Sequence, residues 1–293
     1  MRFHSSVLQS VRRRNGGEGN YNTLVLRMSQ VAVRVLFCVS VGSASELAEI
    51  PALPPLKGDL QQKYDAYIAA TEARIQREVH SAPYLWAEQS PERWQRVRKG
   101  DVAVEPWKAH GETAFGNGLI HDWIGALFIP AMTLARVTSF LQDYDVHKNY
   151  FRPEVVDSRL VGRDGNDWKL RYRVVKRYLI TLVVNSDQTA NFYPLSGTRM
   201  ITRSVATHIA EVKNAGKPGE RELDSTIIWR LNTYWRLEEK DGGVYVECQT
   251  ISLTRAAPAG LGWLVNPIVR SLPGASLAHL LEATRTGAQS RSR

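Results

Sequence analysis

Cysteine is scarce in this sequence: the 293 residues include only Cys38 and Cys248, so no framework of disulfide bonds can hold the fold. Hydrophobic residues make up 43% of the chain, too few for a protein that crosses a membrane many times. Eight Trp and eleven Tyr argue against an intrinsically disordered chain. The length allows one large domain or two small ones, and either arrangement can bury a sizeable core.

Motifs that carry catalysis or hold cofactors are also missing. No two of the seven His residues stand at metal-ligand spacing with a third ligand nearby. The segment Gly116-Asn117-Gly118 is too short to cradle a phosphate, and Ser276 lacks the following glycine of a nucleophile elbow. We therefore expect no metal and no cofactor, and the sequence leaves any catalytic residues unknown.

The positive charge is not concentrated where a nucleic acid could use it. The net charge is +9, but residues 1–45 alone contain six Arg and one acidic residue, Glu18. The rest of the chain has 32 basic and 28 acidic groups, which interleave except at Arg291 and Arg293. Binding to nucleic acid needs a dense basic patch, so we do not expect a nucleic-acid partner.

Residues 1–45 are typical of a targeting segment. The run VAVRVLFCVSV at residues 31–41 has the length of a signal-peptide apolar region, and four small residues follow it. Arg34 interrupts this run, and Met28 is a more sensible start than Met1. The sequence therefore predicts an exported or periplasmic protein. The alternative is an uncleaved disordered tail and a cytoplasmic protein, if residues 28–45 are not a signal peptide.

Residues 46–118 read as a linker and a helical preface. The proline-rich segment at residues 51–56 is stiff and extended. From residue 59 to about residue 80, apolar side chains recur at three- and four-residue steps, which predicts an amphipathic helix packed on the main domain.

Residues 119–286 change to mostly β-strand periodicity. A strand at 119–129 is followed by a helix at 133–150 and then by strands, with a two-residue hairpin signal at Lys240-Asp241-Gly242-Gly243. The predicted later strands are 155–161, one from Trp168, 179–184 (with Tyr193 as an alternative end), 199–212, 226–238 and 244–255. The pattern of residues 261–286 predicts a C-terminal helix, interrupted by Pro267 and Pro273. Residues 287–293 are predicted to form a flexible tail.

This order of elements resembles the helix-grip fold of the START-like (SRPBCC) superfamily. The resemblance is carried by YFRPEVVDSRLV at residues 150–161 and TYWRLEEKDGGVYVECQTISLTR at 233–255, which are similar to uncharacterised bacterial members. It implies an α+β fold, in which a curved antiparallel sheet of about seven strands wraps around a long C-terminal helix. It further implies a cavity between sheet and helix for a hydrophobic or amphipathic ligand.

Alternation in the strands suggests which side chains line that cavity. In residues 226–238, the set that includes Trp229, Leu231 and Trp235 is expected to face inward, beneath Leu277 and Leu281 of the helix. Large inward aromatics are also what a plain filled core contains. In the last strand, the smaller set Val244, Val246, Cys248, Thr250, Ser252 and Thr254 fits a cavity floor.

Two polar pairs complete the candidate site. Arg203 and Glu211 share a face of one strand and are expected to form a buried charged pair, unless both lie at exposed strand ends. His121 and Trp123 alternate on the first strand and form a second candidate pair, with a structural His as the alternative.

Three functions remain open from the sequence. The first is non-catalytic binding or carriage of a hydrophobic small molecule or lipid, with peripheral membrane contact and oligomeric state left open. The second is an enzyme of cyclase or dehydratase type that uses acid–base residues in the same cavity. The third is a structural domain with a filled core.

Overall fold

The computed structural model describes residues 58–107, 112–177, 181–225, 227–256 and 262–290. The predicted signal segment, the proline-rich linker and the last three residues lie outside the described residues. The helices are α1 (Gly58–Glu78), α2 (Pro91–Arg98), α3 (Leu134–Gln142), α4 (His147–Tyr150) and α5 (Gly262–Ser290), and a 3-10 turn at Trp86–Gln89 precedes α2. In the described residues, no helix is long and apolar enough to cross a membrane.

The described strands form one antiparallel sheet. They are β1 (Ala103–Pro106), β2 (Glu112–Phe115), β3 (Gly118–Pro130), β4 (Val155–Asp164), β5 (Asp167–Arg177), β6 (Thr181–Pro194), β7 (Arg199–Lys213), β8 (Arg221–Asp224), β9 (Ile228–Lys240) and β10 (Gly243–Arg255). Their order is β1-β3-β10-β9-β7-β6-β5-β4, with β2 on β3 and β8 on β7. The α+β prediction is confirmed, with a curved sheet and a C-terminal helix. The described sheet has ten strands rather than the expected seven. The three additional strands, β1, β2 and β8, have only four residues each.

The β9–β10 hairpin forms as its sequence predicts. Lys240 pairs with Gly243, which leaves Asp241 and Gly242 as the two loop residues. Both have positive φ, 57° and 76°, as the mirror-image turns that suit twisted hairpins require.

The sheet is covered on both faces. On the inner face, α3 and α5 pack against an apolar cluster that includes Leu127, Trp235, Leu237 and Val246. On the outer face, α1 and the 3-10 turn pack against a second cluster, with Ile124, Tyr245 and Ile251 from the sheet. The helical preface and the sheet belong to the same compact unit.

The outer layer forms because α1 is amphipathic. Its buried residues recur at three- and four-residue steps, and Asp59 and Arg77 lie at the ends where their charges favour the helix dipole. They are Leu60, Tyr64, Ile68, Thr71 and Ile75. The side-chain hydroxyls of Tyr64 and Tyr67 donate to Asn232 and Asp122 of the sheet, at 3.0 and 2.8 Å.

Two helical predictions differ from the structure. The segment at 133–150 forms two helices, α3 and α4, because the chain turns between them at residues 143–146. The C-terminal helix, expected to be interrupted at Pro267 and Pro273, is continuous through both prolines. Proline weakens a helix by removing one backbone hydrogen bond, and here the packing of Leu277 and Leu281 on the sheet offsets that loss.

Candidate functional site

The inner face of the sheet changes character along its strands. Residues directly opposite in an antiparallel pair share a face, so Trp235 lies beside Thr202 and Cys248. At this end the inner side chains are buried in the apolar cluster that also contains Leu277 and Leu281 of α5. This is the part of the predicted site that the structure brings together.

Two residues further along the strands, the same face becomes polar and only half-buried. Ser204, Thr233, Thr250 and Trp123 form one row across four strands. With Gln188 and Ser252, the Ser and Thr residues of this region form what we call the polar floor (Gln188, Ser204, Thr233, Thr250 and Ser252), each member half-buried. Within it, the Ser204 hydroxyl donates to the Gln188 amide oxygen at 2.8 Å. The predicted small set on β10 therefore faces inward, as expected.

Helix α5 reaches the edge of the polar floor. A Cβ atom added at Gly125 would come within 2.8 Å of Leu281, and one added at Gly274 would come within 2.5 Å of the Trp123 ring. Going from Leu281 to Gly274, the helix therefore moves from the apolar end towards the polar end of β3. The helix thus crosses the inner face at Trp123, beside the half-buried polar floor.

His121 lies beside this floor in a neutral form. It is buried on the inner face opposite Ser252, and its Nε2 atom is 2.8 Å from the Thr254 hydroxyl. Burial lowers the pKa of His121 to about 4, so the ring carries no charge at neutral pH. The predicted pair of His121 and Trp123 thus shares the inner face, with the imidazole as a neutral hydrogen-bonding group.

The predicted pair of Arg203 and Glu211 is wrong. Arg203 lies on the outer face, where its Nε atom is 2.7 Å from Glu72 of α1. Glu211 is buried and pairs with Lys213 at 3.0 Å. A β-bulge separates the two segments: Ala206 pairs with Gln188 and His208 with Asp187, which leaves Thr207 as the extra residue. One extra residue moves the following side chains to the other face.

Trp229 is displaced by a second bulge. Leu253 pairs with Arg230 and Thr254 with Ile228, so Trp229 is the extra residue of β9. It packs against the outer cluster rather than with Trp235 on the inner face. The inward facing predicted for Trp229 is therefore wrong, whereas Leu231, opposite Ser252, is half-buried on the inner face.

Two polar clusters at the inner face were not predicted. The Nζ atom of Lys176 donates to the Ser276 hydroxyl of α5 at 2.8 Å, and this hydroxyl donates to Glu154 at 2.9 Å. Lys176 and Glu154 also form an ion pair, so the cluster fastens α5 to β4 and β5. The sequence does contain a signal for the position of Lys176. The alternation of β5 that puts Trp168 and Tyr172 on the inner face continues to Lys176.

The second cluster joins α4 to β5. His147 Nε2 lies 3.0 Å from the Phe140 carbonyl oxygen, which can only accept, so this nitrogen carries the proton. In the neutral ring, Nδ1 then accepts from the Tyr172 hydroxyl at 2.6 Å. Burial raises the pKa of Tyr172 well above its usual value, which keeps the phenol protonated. This pair fixes α4 against the sheet.

The part of the chain that the structure describes contains no cluster of three or more His, Cys, Asp or Glu residues that could hold a metal ion.

Solved structures with a similar fold include three bacterial proteins. A STAR-related lipid transfer protein from Xanthomonas axonopodis is 15% identical, and the match covers 61% of this chain and 99% of that chain with a TM-score of 0.42. The ZhuI aromatase/cyclase from Streptomyces sp. R1128 is 14% identical over 59% and 96%, with a TM-score of 0.42. A START superfamily protein from Mycobacterium smegmatis is 12% identical over 58% and 97%, with a TM-score of 0.40.

No family model and no curated protein matches the sequence. The structural matches include members of the superfamily that the sequence resembles, at low identity. At these identities and scores they carry no argument about a ligand or an activity.

Proposed function

We propose that this protein binds an amphipathic small molecule between the polar floor and the N-terminal half of α5. One observation carries the proposal: the inner face changes from a buried apolar cluster to half-buried Ser, Thr and Gln side chains beside the point where α5 contacts Trp123. A filled core would bury these positions or make them apolar, since buried hydroxyls need partners. The change from apolar to polar lining suits a ligand with one hydrophobic end and one oxygen-bearing end.

The apolar end of such a ligand fits against Trp235, and Leu231 lies across the polar floor from it, opposite Ser252. Leu231 is half-buried next to the polar floor, and Trp235 closes the apolar cluster behind it. The polar end would then contact the hydroxyls of Thr233, Thr250 and Ser252, with neutral His121 as a further hydrogen-bonding group. A neutral imidazole accepts and donates without placing a charge against an apolar ligand.

The charged residues of the inner face favour binding of the ligand without catalysis. Lys176 and Glu154 are a titratable pair within hydrogen-bond reach on this face, and they form an ion pair with each other. Both groups also hydrogen-bond to the Ser276 hydroxyl, so their polar atoms are engaged within the protein rather than directed at a ligand as acid or base. The pair does stand beside Ser276, so a cyclase or dehydratase activity is the second candidate.

The test is to purify the protein and identify what remains bound. Native mass spectrometry and organic extraction are expected to show a retained amphipathic molecule at up to one equivalent. Stripped protein is then expected to take up a hydrophobic fluorescent probe, which the extracted molecule displaces. Protein that is always empty and binds no probe would instead indicate a structural domain with a filled core.

A further inference from the structure

A second polar pocket lies on the outer face of the sheet, away from the inner face and its proposed ligand. The contacts of α1 fall on β3, β7, β9 and β10, through Asp122, Arg203, Asn232 and Gln249. The outer face of β4–β6 lies beyond these contacts. There a cavity of about 290 Å³ is lined by Asp157, Arg159, Arg171, Arg173, Asn185 and Glu222.

Three arginines meet in this pocket at cross-strand positions. Arg159 of β4 lies directly opposite Arg171 of β5, and Arg173 follows two residues later on the same face. Like charges directly opposite each other destabilise a sheet, so this arrangement needs anions nearby. The row does not serve the stability of the sheet, and it concentrates positive charge at one place.

The pocket already holds a carboxylate supplied by the chain itself. The Glu222 carboxylate forms an ion pair with Arg171 and accepts a hydrogen bond from the Asn185 amide at 2.6 Å. Glu220 pairs with Arg173 at 2.8 Å. Both acids come from the segment at β8, a four-residue strand whose residues are all exposed. Guanidinium groups with an amide donor form an oxyanion site, and Glu222 shows how the oxyanion is held.

The positive charge of Arg159 is available to a bound anion. It is exposed at the pocket rim, and among the described residues it forms no ion pair within 4.0 Å. An incoming anion that contacts Arg159 together with Arg171 gains an interaction that Glu222 does not make.

We propose that this pocket binds a phosphate group, which displaces the Glu222 carboxylate from Arg171 and Asn185 and recruits Arg159. Phosphate carries more charge than a carboxylate and three oxygens, enough to contact several guanidiniums at once, so it can compete with a tethered carboxylate. The phosphate can belong to a small soluble molecule or to the headgroup of a membrane lipid. Both present the same chemistry.

The test uses inorganic phosphate as the probe and the full chain at low ionic strength, where surface charges are least screened. Titration followed by NMR or calorimetry is expected to show one site with a dissociation constant on the order of 1 mM. Glu222→Gln removes the internal competitor and is expected to tighten binding about tenfold. Arg159→Gln is expected to weaken it about tenfold, a change equal to the loss of one charge-assisted hydrogen bond.

The controls separate recognition from folding and from net charge. Arg177→Gln removes an exposed arginine that lies on β5, on the same face as Arg171 and Arg173 but outside the pocket. This variant is expected to bind phosphate as the wild type does. Since Arg159 forms no ion pair with the residues that the structure describes, its substitution is not expected to change the melting temperature. Equal affinities in wild type, Glu222→Gln and Arg159→Gln would overturn the proposal.

Vesicles distinguish the two sources of phosphate. Flotation with phosphatidic acid vesicles, compared with phosphatidylcholine vesicles, supports a lipid headgroup if binding is lost in Arg159→Gln but kept in Arg177→Gln. Binding of inorganic phosphate without vesicle binding supports a soluble phosphorylated molecule. Failure of both probes would overturn the proposal, and neither result bears on the ligand of the inner face.

Discussion

Gly274 of α5 packs directly on the indole ring of Trp123 in β3, because a Cβ atom at this position would lie 2.5 Å from the ring. The contact sets how closely the helix approaches the inner face at the edge of the polar floor. Any side chain at residue 274 must move either the ring or the helix.

Gly274→Ala is therefore expected to lower stability. Helix propensity alone favours Ala over Gly by about 1 kcal/mol in a helix interior. Steric overlap with Trp123 opposes this and is expected to dominate, with a net loss of about 1–3 kcal/mol. Chemical denaturation followed by tryptophan fluorescence measures the difference, and a stabilised variant would show that α5 does not press on Trp123.

The ion pair of Arg236 and Glu247 is buried between β9, β10 and the outer helices. Its side chains are 5% and 2% exposed, and Nε lies 2.7 Å from Oε1. Arg236→Met is expected to cost about 3–5 kcal/mol, because it leaves a buried carboxylate without its cation. The double variant Arg236→Met/Glu247→Met is expected to recover most of this loss.

The control for this cycle is Lys240→Met, which breaks a more exposed pair with Glu88. It is expected to cost less than about 1 kcal/mol. A double variant as unstable as Arg236→Met would contradict the account of a buried charge as the cause.

His121 is expected to make the protein sensitive to mild acid. Its pKa falls from about 6.5 in the unfolded chain to about 4 in the folded protein, since burial disfavours the charged ring. The unfolded state therefore takes up a proton first, so stability is lost as the pH falls from 6.5 towards 4. Between pH 7 and pH 4.5 the loss from this residue is about 2.5 kcal/mol.

His121→Gln is expected to reduce the pH dependence of the unfolding free energy by that amount. His208→Gln changes an exposed histidine and serves as the control. Identical pH profiles for wild type and His121→Gln would show that His121 is accessible to protons in the folded state.

Trp235 and Trp229 are expected to differ, although both belong to the same strand. Trp235→Ala empties a buried position of the inner cluster and is expected to cost about 3–5 kcal/mol. Trp229 is the half-buried bulge residue at the outer cluster, so Trp229→Ala is expected to cost clearly less. Equal costs in equilibrium unfolding would place both rings in equivalent environments and contradict the bulge.

The sequence predicts the sheet well wherever alternation is unbroken. Leu231 to Leu237 and Val244 to Thr254 face as their pattern indicates, and the hairpin at Asp241-Gly242 follows from turn chemistry. The strands β1, β2 and β8 were missed, because four residues are too few to show a period.

The errors at the site share one physical cause. Bulges at Thr207 and Trp229 add a residue without changing the local composition, so the alternation after each bulge refers to the opposite face. Glu211 is buried as expected, but the bulge at Thr207 puts Arg203 on the opposite face, and the bulge at Trp229 turns that ring to the outer cluster. The partners of Arg203 and Lys176, Glu72 and Glu154, come from other elements of the fold, and strand periodicity contains no information about such contacts.

Filling the proposed ligand site beside the polar floor tests the central claim most directly. Leu231→Trp adds bulk beside the polar floor, whereas Val205→Trp adds the same bulk at a half-buried position on the outer face, opposite Asn232. The measurement is the affinity of stripped protein for a naphthalene-sulfonate fluorescent probe, with melting temperatures to confirm folding. The account predicts a loss of about tenfold or more for Leu231→Trp and none for Val205→Trp; equal affinities for the two folded variants would contradict it.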